Sequence, residues 1–218
     1  MYYLEKLVAH LLIFLFTSFQ LQGQEKVPRQ GPLLIVSNHL SVSDPVILGT
    51  KLGRKVTFMA KEELFKNFIH RYFVRSFNAF PVYRQGSNRE ALRQAGEVLR
   101  QGKVLGMFPE GKRSREIRLM PALYGSALIA YHNQVSILPV GISGTEKIHG
   151  FGWIWHRPVV KVKIGGSFRL PDAGHSLRKE QLAAFTEIIM QHIAELLPEE
   201  YRGEYTERNL GADRDQKS

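Results

Sequence analysis

Short apolar runs alternate with amphipathic stretches along most of this chain, and that alternation constrains the fold more than any other feature. Leu33–Val36, Lys55–Met59, Val104–Phe108, Ser136–Val140 and Val159–Ile164 each read as a strand. Ala79–Arg84 is a shorter extended stretch. Helical patterns lie between them. One runs from Pro45 to about Lys51 and stops near Gly53, and a longer, basic and aromatic one covers Lys61–Phe77. A third follows the capping box Ser87-Asn88-Arg89-Glu90, presents Ala91, Leu92, Ala95, Val98 and Leu99 on one face, and ends at Gly102. Ala122–His132 and Ser176–Leu197 complete the set. This order predicts a single α/β domain: a mixed, mostly parallel sheet flanked by helices. Val159–Ile164 follows a Gly- and Trp-rich stretch without a clear helix, so it is expected to be antiparallel or at an edge. A chain of 218 residues suffices for one such domain with a sizeable core.

The N-terminus has a different pattern. Leu4, Leu7, Val8, Leu11, Leu12, Leu15 and Phe19 recur at helical spacing on one face. The unbroken apolar run, Leu11–Phe16, is far short of the roughly 20 residues a spanning helix needs. A signal peptide fits poorly, because Glu5 offsets Lys6 and no small-x-small cleavage site follows. Residues 1–22 are therefore expected to form an amphiphilic helix in the membrane interface, with a buried amphipathic helix as the alternative. Gln22–Pro32 reads as a linker. The main domain is expected over 23–200 and a charged tail over 201–218, fraying from Pro198. The formal net charge is +10 and the pI about 9.9, which suits phosphate-bearing substrates, anionic lipid or nucleic acid. The chain has no cysteine, which excludes disulfides, thiolate metal sites and a cysteine nucleophile.

Two stretches carry chemistry. The first strand runs into Ser37-Asn38-His39-Leu40-Ser41-Val42-Ser43-Asp44-Pro45. Strand ends of this kind often hold ligand and catalytic groups. A neutral imidazole at His39 can take a proton from a hydroxyl near pH 7, and a carboxylate at Asp44 can fix its tautomer. The pair brings no nucleophile, so its simplest use is to activate a hydroxyl of a substrate. The same residues also fit a turn histidine followed by an Asp44 N-cap and Pro45 at the first helical position.

The second stretch is Val104-Leu105-Gly106-Met107-Phe108-Pro109-Glu110-Gly111-Lys112-Arg113-Ser114-Arg115. A strand enters a turn in which Gly111 allows close backbone approach and Lys112 and Arg113 offer donors suited to phosphate. A solvated basic loop is the plainer alternative. Gly106–Lys112 fits the first positions of a P-loop, but Arg113 stands where Ser or Thr should hold magnesium. Pro109 also lacks an N–H where backbone donors should cradle phosphates.

Together these stretches resemble the glycerolipid acyltransferase family, in its bacterial 1-acyl-glycerol-3-phosphate branch. The N-H-x4-D block spans Asn38–Asp44 and F-P-E-G-x-R-S spans Phe108–Ser114. Phe80–Arg84, Ile137–Val140 and Lys61–Leu64 match further blocks, and the likeness covers roughly residues 30 to 170. Tyr83 and Asn78 depart from the usual acidic residue and Gly, which bears on acceptor specificity. The resemblance implies transfer of a fatty acyl group from acyl-CoA or acyl-ACP to the free hydroxyl of 1-acyl-glycerol-3-phosphate, making phosphatidic acid. His39 would be the base and Asp44 its orienter. Arg84, Glu110 and Gly111 would hold the glycerol phosphate, with Lys112, Arg113 and Lys61 as weaker candidates, and Pro139 would shape an acyl channel or end a strand. No acyl-enzyme is needed, in keeping with the absent cysteine and the absent G-x-S-x-G elbow. The implied partners are a bilayer surface, lysophosphatidic acid and acyl-CoA or acyl carrier protein, with no cofactor, no metal and no nucleic acid. The implied location is the cytoplasmic face of a bacterial inner membrane. The competing readings are acylation of another lyso-lipid or of glycerol-3-phosphate, a thioester hydrolase, and a non-enzymatic basic membrane-binding protein.

Overall fold

The computed structural model describes residues 15–66, 79–82, 88–149, 152–174 and 177–206, with Lys61, Leu64, Val82 and Asn88 described by backbone alone. The strands are β1 Ser18–Gln22, β2 Leu33–Ser37, β3 Val56–Lys61, β4 Phe80–Val82, β5 Val104–Met107, β6 Ser136–Ser143 and β7 Val159–Ile164. The helices are α1 Asp44–Lys51, α2 Glu63–Lys66, α3 Asn88–Arg100, α4 Gly125–Asn133, α5 Trp153–His156 and α6 Lys179–Ala194. All seven strands join one sheet in the order β1-β7-β6-β2-β5-β3-β4. The ladders from β6 to β4 are parallel, β7 runs antiparallel to β6, and β1 pairs parallel with β7.

The central strand β2 is buried along its whole length, as a parallel strand covered on both faces should be. Its side chains alternate between two cores. Leu34 and Val36 join Leu105 and Ile137 under α3, α4 and α6, with Leu99, Ile129, Ile189 and Ile193 fully or nearly buried. Leu33 and Ile35 join Val104, Leu138 and Val140 under α1, with Val46, Ile47 and Leu48. The two layers fix the sheet so that β2, β5 and β6 end together at one rim, the edge formed by the C-terminal ends of the parallel strands, where both stretches lie.

Three expectations need correction. The N-terminal helix cannot reach Phe19 or Gln22, because helix persists only at Leu15–Phe16 and Ser18–Gln22 form β1. Residues 1–14 of that helix lie outside the described residues. The period-2 burial of Phe19 and Leu21 against the second core outweighs the helical spacing, and β1 covers an edge that β7 would otherwise leave open. Gly23 ends β1 at φ 81, where a Cβ would run into the Ile164 carbonyl. The segment expected as the helix Lys61–Phe77 continues β3 through Lys61 and turns into α2; residues 67–77 lie outside the described residues. The C-terminal segment does not fray from Pro198. Tyr201 and Tyr205 are buried in two 3-10 turns, so the fold extends past residue 200. β7 is antiparallel to β6 as expected, while β1 takes the edge.

Candidate active site

β2 delivers its last residues to the catalytic-looking turn, and Asn38 fastens that turn to β6. Its Nδ2 donates to the Ile142 carbonyl at 2.8 Å, and the Ile142 N–H donates to its Oδ1 at 2.8 Å. Asn38 is 2% exposed, so this two-way clamp satisfies an otherwise costly buried amide. The next residue, His39, is thereby held at the sheet edge.

His39 Nδ1 lies 2.8 Å from Asp44 Oδ2. The same oxygen accepts the Leu40 and Ser41 N–H groups, each at 2.7 Å. Asp44 is fully buried, and as a carboxylate receiving two backbone donors it can only accept from the ring. Nδ1 therefore carries the proton, and the lone pair sits on Nε2. Asp44 is the first residue of α1 and Ser43 occupies the cap, so its carboxylate folds back over the turn instead of capping the helix. The imidazole stacks on Phe108, with ring centroids 4.0 Å apart at 16°, and Phe108 stacks in turn on Phe58. The His39 side chain is 17% exposed, open enough for a substrate hydroxyl to reach it.

The loop after β5 is stitched to this turn. Glu110 Oε1 accepts the His39 N–H at 2.9 Å, Oε2 accepts the Met120 N–H at 3.0 Å, and the Ser114 N–H donates to the His39 carbonyl at 2.8 Å. Glu110 is 4% exposed. Burial pushes its carboxyl up to about 7 against the two backbone donors that lower it, and the charge on Asp44 adds to the rise. Gly111 turns the loop at φ 67, its N–H on the Phe108 carbonyl, and a Cβ there would press on the Leu123 side chain. Lys112 and Arg113 then project into solvent, without an ion-pair partner among the described residues.

The acyltransferase family profile matches residues 18–143, which span both stretches and the clamp between them. The chain belongs to this family. Among individual relatives, a 1-acyl-sn-glycerol-3-phosphate acyltransferase of Bacillus subtilis is 29% identical over 175 residues, covering 80% of this chain and 85% of that protein. One of Streptococcus pneumoniae is 33% identical over 153 residues, covering 68% of this chain and 56% of that protein. The crystal structure of the 1-acyl-sn-glycerophosphate acyltransferase PlsC from Thermotoga maritima aligns with a TM-score of 0.65 at 29% identity, over 86% of this chain and 75% of that one.

In this acyltransferase His39, Asp44, Glu110, Gly111, Lys112 and Arg113 are brought to one sheet edge. Lys61 ends β3 on the same side of the sheet, and its side chain is not described. Arg84 lies outside the described residues. Pro139 sits inside β6, buried, opposite Val36, with Gly165 packed so close that a Cβ there would clash with its ring. Glu110 is buried in the turn, with one backbone donor on each carboxylate oxygen. Asn38 and Phe108 belong to the quoted blocks, but sequence reasoning assigned them no task. The signal for Asn38 was available, since an amide directly after a fully buried strand must find partners. Among the described residues no group of three or more His, Asp or Glu could hold a metal, and no helix is long and apolar enough to cross a membrane.

Proposed function

We propose that this acyltransferase acylates the free hydroxyl of 1-acyl-glycerol-3-phosphate, using acyl-CoA or acyl-ACP, and so makes phosphatidic acid for phospholipid synthesis. One observation carries the reading. His39 is tied through Nδ1 to a buried carboxylate, which leaves Nε2 as a base, and its backbone is bonded to the loop that presents Lys112 and Arg113. Nε2 takes the proton of the acceptor hydroxyl as the oxygen attacks the thioester carbonyl. Asp44 stabilises the imidazolium. The tetrahedral adduct collapses, the C–S bond breaks, and the thiolate leaves with the proton from Nε2. The acyl group passes directly between substrates, so no residue of the chain is acylated.

Arg113 and Lys112, with Arg84 and Lys61, hold the acceptor phosphate in this reading. Gly111 lets the loop approach it. Glu110 is a positioning residue: it aligns the phosphate loop with His39 and does not touch substrate. The enzyme works at the surface of a membrane on the side that supplies acyl thioester, the cytoplasmic face, with residues before Leu15 as one contact. The test is an acceptor panel with labelled acyl thioester and identification of the product. Lysophosphatidic acid should be acylated fastest, ahead of lyso-aminolipid, other lyso-phospholipids and glycerol-3-phosphate. Thioester consumption that does not depend on any acceptor would identify a hydrolase instead.

A further inference from the structure

We propose that the sheet edge carrying His39 is a bilayer-docking face and that Trp155 is its inserted anchor. The proposal rests on the reading that the acceptor is a lipid, but its chief evidence, at Trp155, does not involve His39, Asp44 or the phosphate-holding residues. The ladders give the location. Asn38, beside His39, is clamped to Ile142, and Ile142 pairs with Val162 of β7. β7 runs antiparallel to β6, so its start at Val159 lies beyond the end of β6, where Gly144 packs against the Val159 carbonyl. α5 immediately precedes that start. It therefore stands at the catalytic edge, two strands from His39, or roughly 10 Å across the sheet.

The two tryptophans of α5 are used differently. Residues two apart on a helical turn point to nearly opposite sides. Trp153 meets the Phe16 ring edge-on at 6.1 Å and ties α5 to the chain entering β1. Trp155 is 87% exposed. An indole in water is a poor use of a large apolar side chain, whereas at a membrane surface its apolar body and N–H donor both find partners.

Trp155 is not alone. The other large apolar side chains exposed among the described residues lie at this same edge and none at the opposite one. Val42, at 60%, is in the His39 turn; Leu123, at 64%, with Ile117 and Tyr124, belongs to the loop after β5. Leu15 and Val159 open β1 and β7, which both begin here. These tips are spread over separate loops around the site, as an edge dipping into a fluid layer requires, rather than forming one flat patch. Exposed cations stand among them: Lys147 in the turn after β6, Arg157 just before β7, and Lys112, Arg113 and Arg115 on the phosphate loop. That pairing of apolar tips with positive charge fits a bilayer containing anionic lipid.

The chain has two tryptophans, so its own fluorescence reads the proposal. In full-length Trp153→Phe, excited at the red edge where tyrosine does not absorb, Trp155 is the sole emitter. Mixed phosphatidylcholine–phosphatidylglycerol vesicles should shift its emission to the blue, and lipids brominated on the acyl chain should quench it. Trp155→Ser should bind such vesicles about ten-fold more weakly with unchanged melting, and Trp155→Phe should recover most of the binding. Emission that stays unshifted and unquenched while the protein floats with the vesicles would overturn the proposal. A blue shift that grows with protein concentration without lipid would overturn it in favour of a second copy on this face. The acceptor assignment fails separately: if Trp155 inserts but lysophosphatidic acid is not acylated, docking stands and the substrate is wrong. If a short soluble acceptor is acylated while Trp155 stays in water, the reverse holds.

Discussion

Three donors converge on one oxygen of Asp44, and this holds the His39 ring, the proposed base, in place. The carboxylate organises the turn through Leu40 and Ser41 and the imidazole through Nδ1. His39→Ala should cut turnover at least 100-fold or so, the usual weight of a general base, with little change in melting temperature. Near wild-type acyl transfer by folded His39→Ala would sink the mechanism. Asp44→Asn should also cost roughly 100-fold or more, because the amide cannot hold the same tautomer. Asp44→Ala should in addition lose about 1–3 kcal/mol of stability, since two turn N–H groups are orphaned. Glu110 gives a pH signature. Its folded value of about 7 lies above that of an unfolded glutamate, so the folded state binds the extra proton between about 4.5 and 7. Its contribution to stability is present below that window and is lost as pH rises through it. Denaturant melts of wild type and Glu110→Gln across pH 4.5–8 should show this slope, on the order of 2–4 kcal/mol in total, in the wild type only.

At the scale of elements, the loop from Phe108 to Met120 carries the proposed phosphate-binding residues. It is bonded to the His39 turn at Glu110 and Ser114, to its own start through the Leu123 N–H on the Pro109 carbonyl, and to the C-terminal turns through the Leu119 N–H on the Tyr201 carbonyl. A loop tied at so many points presents its cations at a fixed distance from Nε2. Arg113→Ala should therefore raise the KM for the phosphate-bearing acceptor about ten- to a hundred-fold, and that for the thioester far less. Arg113 is exposed, so stability should change by no more than about 0.5 kcal/mol. A rise confined to the thioester KM would mean that the loop binds the donor.

For the whole molecule, the N-terminal boundary matters most. Because β1 completes the sheet, truncation should have two distinct outcomes. Deleting residues 1–14 should leave melting nearly unchanged, weaken vesicle flotation, and lower activity on vesicle-borne lipid more than on a short soluble acceptor. Deleting residues 1–22 should lower the melting temperature as well, since β7 loses its partner and the second core loses Phe19 and Leu21. Equal melting losses for both truncations would mean that residues 1–14 belong to the core, and the membrane contact should then be assigned to other parts of the edge.

The local sequence determined the cores of the strands from β2 to β7, their order among the helices, and the two turns that carry the family's motifs. These are short-range properties: a buried strand is an unbroken apolar run, and His39 and Asp44 are close enough in the chain to meet within one turn. It did not determine what pairs across long separations. Phe19 fits a helical face as well as a strand face, and only the open edge of β7 selects the strand. The partners of Glu110, 71 residues away at His39 and 10 away at Met120, are backbone groups without a sequence signal. Tyr201 read as part of a charged tail, and its contact with Glu146, 55 residues earlier, exists only once the sheet is assembled. Backbone donors and sheet edges carry no residue code, so their partners are decided by packing in three dimensions.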